Sequence, residues 1–111
     1  MSPGESMRAA HRALARKAWK ANKARAEELT ALAAEWRRTR VLTAEQRQHA
    51  RALAHGLRGS AGTFGHELAS RAAEQLEQIL TFVPDEASLD VVQELIDRVA
   101  SALAREPELE F

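Results

Sequence analysis

Residues 43–65 read TAEQRQHARALAHGLRGSAGTFG, and their pattern decides the fold. Thr43 followed three residues later by Gln46 is a capping box, in which each side chain satisfies a backbone N–H that the first helical turn leaves without a partner. Beyond it, Ala50, Leu53, Ala54, Leu57 and Ala61 recur at spacings of three and four residues. That spacing places them on one face of an α-helix and requires another element to cover them. The helix then meets Gly62 and Gly65.

The same signals extend in both directions. Upstream, Ser2-Pro3-Gly4-Glu5 combines an N-cap Ser, a Pro at the first helical position and an acid three residues after the cap. No Gly or Pro follows until after Arg40. One straight helix of that length spans over ~50 Å at about 1.5 Å per residue. Either a break near Asn22–Arg25 or an arm projecting past the bundle is expected. Leu29, Leu32, Ala33 and Trp36 form its apolar stripe, and Arg37, Arg38 and Arg40 sit where a helix C-terminus favours cations. Downstream, a third helix is expected from about His66 to Phe82, with Leu68, Ala72, Leu76, Ile79 and Leu80 in phase. Pro84-Asp85 ends it and caps a fourth, where Leu89, Val92, Leu95, Ile96, Val99 and Leu103 repeat at helical spacing.

Short connections make consecutive helices antiparallel neighbours. The expected architecture is all-α: an antiparallel up-down four-helix bundle over residues 25–105, with an additional N-terminal helical segment. Residues 1–24 read as a basic arm dispensable for folding, and 106–111 as a frayed tail. At 111 residues the chain has room for one core, and its Ala, Leu, Glu, Arg and Gln content suits helices. There is no cysteine, which excludes disulfides and thiolate chemistry. No apolar run approaches the roughly 20 residues of a membrane span, and the N-terminus lacks a signal peptide's apolar stretch, so a cytoplasmic protein is expected.

Net charge is zero but unevenly distributed. Residues 1–65 carry 13 Lys/Arg against 5 Asp/Glu, and residues 66–111 carry 3 against 11. Internal complementarity between helices is the favoured explanation, ahead of a basic half that meets an acidic partner. The first 25 residues hold 7 Lys/Arg and 1 acid, but only one aromatic, Trp19, and no nucleic-acid reading motif. Neither a nucleic-acid nor a membrane partner is expected.

His55 is the informative residue. At about 100° per residue it points away from the apolar face, and it shares its own face with Gln48, Arg51, Arg58, Gly59 and Gly62. Each glycine inside a helix costs about 1 kcal/mol relative to Ala. Gly56 has a structural explanation in close helix packing. Gly59 and Gly62 are expected to face solvent beside the histidine, where bare backbone lets another molecule approach.

The run AHGLRGSAGTFG, residues 54–65, resembles the signature of histidine phosphotransfer (HPt) domains, which relay phosphoryl groups in two-component signalling. The matching positions are His55, Leu57, Arg58, Gly59 and Gly65, with Leu76-Glu77 at the spacing of a pair in the family's next helix. Gly62-Thr63-Phe64-Gly65 is similar to the variant in the N-terminal domain of chemotaxis kinases. Arg58 replaces the usual Lys, Gly56 stands where a Ser, Thr or larger polar residue is common, and Leu68 sits one position early, leaving Ala69 in the leucine's place.

The resemblance implies that His55 Nε2 accepts the phosphoryl, that Glu77 orients Nδ1, and that Arg58 helps hold the phosphoryl oxygens. Gln48, Arg51, Gly59 and Gly62 would form the docking surface. The partners implied are a response-regulator receiver domain, contributing an aspartate and Mg²⁺, and a sensor or hybrid histidine kinase. The chain itself, expected to be a monomer, would bind no cofactor or metal and would act as a phosphocarrier without ATP-dependent kinase activity. Two rivals stand beside this reading. One is a degenerate bundle that binds such partners without accepting phosphate. The other places the acceptor at His66, because His66-Glu67-Leu68 is similar to the start of a kinase's own phosphoacceptor box. His11 and His49 read as surface residues, and Glu74 with Glu77 as ordinary helix-surface charge.

Overall fold

The structure, a computed structural model, describes residues 2–107. Four α-helices follow one another: α1 (Pro3–Thr39), α2 (Ala44–Thr63), α3 (Glu67–Thr81) and α4 (Ser88–Leu103). Each packs against its neighbours in sequence, and α1 closes the ring against α4. The result is an antiparallel four-helix bundle, as the short connections require.

The expected caps form. Ser2 Oγ accepts from Glu5 N at 3.2 Å. Thr43 Oγ1 accepts from Gln46 N at 3.1 Å, while Gln46 Oε1 accepts from Thr43 N at 2.9 Å. The last turn of α2 closes when His66 N donates to Ala61 O at 2.8 Å, which requires Gly65 in the left-handed region at φ 92°. A side chain there would be strained. The fourth helix begins later than Pro84-Asp85 suggests: Asp85 accepts from the Ser88 N–H at 3.0 Å, and a turn at 86–87 leads in.

The core follows the periodic positions, with one exception. Ala50, Ala54, Leu57 and Ala61 of α2 meet Ala69, Ala72, Ala73, Leu76 and Leu80 of α3, and all six periodic positions of α4 are buried. Alanines on both sides of the α2–α3 seam bring those backbones close. Leu68, expected in phase, is instead 72% exposed, and Ala69 is buried in its place. A leucine at position 69 would not fit a seam this narrow.

α1 does not break. Its 37 residues run unkinked along a molecule 56 Å in its longest dimension. The bundle takes up more of it than residues 25–39. Ala15 and Asn22 are buried, and the half-buried Trp19 donates from Nε1 to Leu103 O at 2.7 Å, satisfying a carbonyl at the end of α4. Arg16 pairs with Glu106 at 3.2 Å. The expected boundary at residue 24 therefore cuts through packed helix, and the part projecting past these contacts is residues 3–14. The outer segment shows Met7 and Leu14 exposed. Of the expected frayed tail, Glu106 and Pro107 are described, and 108–111 lie outside the described residues.

The uneven charge is used internally. Arg37 reaches Asp90 at 3.2 Å and Arg40 reaches Glu86 at 2.6 Å, each joining the basic half to the acidic half. These pairs are exposed, and each contributes ~0–1 kcal/mol. Among the described residues no helix is long and apolar enough to cross a membrane.

Candidate functional site

His55 lies midway along α2 with its side chain 72% exposed. The regular period of α2 puts it outside the core, with Leu57 and Ala54 buried behind it. Its Nδ1 is 2.9 Å from Glu77 Oε1 on α3. Glu77 is only 14% exposed and also accepts from Arg58 Nη1 at 3.3 Å. Its carboxyl is held below the usual range, first by the hydrogen bond from His55 and then by Arg58, against an opposing effect of burial. Glu77 is therefore a carboxylate near neutrality, so Nδ1 is the nitrogen that donates. In the neutral ring this fixes the proton on Nδ1 and leaves the lone pair on Nε2, facing outward.

The Arg58 guanidinium also lies 3.8 Å from Glu74. Arg58 is thus drawn toward α3 by two carboxylates, and Glu74, read from sequence as ordinary surface charge, is part of its setting. Gln48 and Arg51 are exposed about two turns and one turn before His55 on the same face.

The three glycines of α2 differ in what surrounds them. At Gly59 a Cβ would meet nothing within 4 Å, so the backbone beside His55 is open. At Gly62 a Cβ would lie 2.9 Å from Ser70 Oγ, and that hydroxyl is fixed by donating to Arg58 O at 2.7 Å. Gly62 is exposed as expected, and its missing side chain also leaves room for Ser70 of α3. At Gly56 a Cβ would lie 3.0 Å from Arg25 Nε of α1. The glycine leaves room for that side chain.

The remaining histidines separate clearly. His66 is buried at 7%, its Nε2 bonds Arg105 O at 2.8 Å, and its ring lies 6.4 Å from that of Trp19. A nitrogen committed to a carbonyl inside the fold is not available to a partner, which removes the rival acceptor. His49 pairs with Glu28 across α1 and α2 at 3.0 Å, and His11 is exposed on the outer arm. Among the described residues no group of three or more His, Asp or Glu is placed to hold a metal. Sequence reading missed Asn22, Arg25 and Ser70. A signal for them exists: α1 and α2 are antiparallel about a turn near residue 41, which sets Asn22 against Ser60 and Arg25 against Gly56.

The lowered acidity of Glu77 has a pH consequence. A carboxyl whose folded pKa lies below its unfolded value of 4.5 adds stability above that value and loses it as pH falls through the folded pKa. Glu77→Gln is expected to be less stable than the parent at pH 7, with the gap closing below about pH 4. Thermal unfolding from pH 3 to 7 measures this. A gap that is constant or widens in acid would show that the carboxylate is not the stabilising form.

No curated protein and no solved structure matches the chain. A family model described as the Hpt domain matches residues 5–107, nearly the whole chain and including the N-terminal residues that pack on the bundle. A four-helix bundle presenting an exposed histidine, held through Nδ1 by a carboxylate of the next helix, agrees with that match, and the chain belongs to the family of Hpt domains, which carry out histidine phosphotransfer in phosphorelays.

Proposed function

We propose that His55 accepts and returns the phosphoryl group, exchanging it with an aspartate of a response-regulator receiver domain, and that a sensor or hybrid kinase stands upstream. The observation that carries this is the Nδ1 hydrogen bond to Glu77 at 2.9 Å on a largely exposed imidazole. The Nε2 lone pair attacks phosphorus and forms the N–P bond. The P–O bond to the aspartyl carboxylate breaks, and its electron pair leaves with the carboxylate. The ring retains Nδ1–H and becomes cationic, and the Glu77 carboxylate stabilises that charge as it develops. Phosphoryl transfer needs alignment and charge stabilisation more than covalent help from the acceptor protein. The receiver supplies the Mg²⁺ and the aspartate, and this chain supplies a rigidly held nucleophile. Arg58, bound to Glu77, is a positioning residue for that carboxylate.

Incubation with phosphorylated receiver domains tests the reading. The expected product is one phosphoryl group per chain, acid-labile and alkali-stable as a phosphohistidine is. A chain that binds receivers yet never takes the label would instead be a non-phosphorylated interaction module.

Gly59 separates folding from docking. Gly59→Ala should stabilise the fold by about 0.5–1 kcal/mol, because nothing blocks the methyl and the unfolded chain loses freedom. Gly59→Lys should fold equally well while lowering the transfer rate by roughly tenfold or more, a loss of over ~1.4 kcal/mol in transition-state stabilisation. Thermal unfolding paired with the transfer rate checks both effects. Normal transfer by the Lys variant would remove Gly59 from the docking surface.

A further inference from the structure

The direction of Nε2 bears on which cation meets the phosphoryl group. Nδ1 is turned toward Glu77 on α3, and the two nitrogens lie on opposite edges of an imidazole, so Nε2 faces away from α3. Arg58 lies on the α3 side, spanned between Glu77 and Glu74. On the other flank of α2, toward α1, comes the open backbone at Gly59 and then Gly56, which is covered by the Arg25 side chain. Arg25 is held there: its Nη1 donates to Asn22 Oδ1 at 2.7 Å, and the buried Asn22 in turn donates from Nδ2 to Ser60 Oγ at 3.1 Å. Among the described residues no acid forms an ion pair with this guanidinium, and a larger residue at position 56 would displace it.

We infer that Arg25, held over Gly56 by Asn22, is the cation that faces the phosphoryl group on His55 Nε2, and that Arg58 is not. This rests on the proposed role of His55. A guanidinium presents paired N–H donors that suit phosphoryl oxygens. Its position on α1 makes α1 a contributor to the site, and the Asn22–Ser60 hydrogen bond sets the distance from which it acts.

The test uses the full ¹⁵N-labelled chain loaded from a phosphorylated receiver and then separated from it. On loading, the Arg25 Nε–Hε signal should shift clearly and that of Arg58 much less. The ³¹P signal of the phosphoryl group should titrate higher in Arg25→Gln by about 0.5 pH unit, because a neighbouring cation favours the dianion. Gly56→Ala should raise it in the same sense by pushing the guanidinium aside, Arg25→Lys should restore part of the shift, and Arg58→Gln should leave it near the parent value. An unmoved Arg25 signal on a loaded chain, or equal titration in Arg25→Gln and parent, overturns the inference while leaving His55 as acceptor. Failure of every receiver to load His55 overturns the proposed function, and the inference with it.

Discussion

His55→Gln is expected to abolish phosphoryl labelling completely while leaving helix content and melting temperature close to those of the parent. The loss is expected to be total because neither His49 nor His66 offers an exposed nitrogen backed by a shielded carboxylate. His66 is buried against Trp19 with Nε2 on a carbonyl, and His49 is engaged through Nε2 by Glu28. Stability is spared because the His55 side chain is 72% exposed, and surface substitutions of this kind stay within about 0.5 kcal/mol. Glutamine also keeps an N–H with which to reach Glu77, so that carboxylate is not stranded. Labelling by a phosphorylated receiver, run beside a thermal melt, decides the matter. Retained label in this variant, or loss of label only in His66→Gln, would move the acceptor elsewhere.

Removing residues 1–24 should have the largest effect on folding, and removing 1–12 almost none. The shorter deletion takes away exposed helix beyond the contacts at Ala15 and Arg16. The longer one removes the Trp19 indole, which packs beside His66 and bonds the last carbonyl of α4, together with the buried Asn22 that bonds Ser60. Loss of a buried aromatic alone costs about 3–5 kcal/mol, and a half-buried one less, but stranded polar partners add about 1–3 kcal/mol. A total near 3 kcal/mol or more lowers the melting temperature of a domain this size by over ~12 °C. Equal melting of the two deletion variants would show that residues 13–24 do not contribute to the bundle.

The two results would also locate the arm. The family match beginning at residue 5 and the contacts of Trp19 agree that most of α1 belongs to the bundle, and the arm is the segment that precedes the buried Ala15.

By itself the sequence determined the four helices, most of their buried faces and the outward direction of His55. Those properties depend on the helical period and on caps such as Thr43 with Gln46, which are set by residues a few positions apart. The pairing of His55 with Glu77 was legible through the family resemblance. It also fits antiparallel register, since His55–Glu77, Arg58–Glu74 and Gly62–Ser70 are each centred on residue 66. Tertiary structure alone decided the rest. The period places Gly62 on the face of His55, and only the close approach of α2 and α3 near their turn makes a side chain there press on Ser70. It places Leu68 in phase, but the same narrow seam accepts Ala69. Uninterrupted helical sequence allows a break, an arm or a docked helix, and the contacts of Trp19 and Asn22 with α4 and α2 select among them. Arg25 belongs with these: its sequence neighbours make it a surface cation, and the missing side chain of Gly56 on another helix leaves room for it over α2. In each case the deciding quantity is the distance between two helices, which arises from packing many side chains at once and is not encoded in the period of either helix.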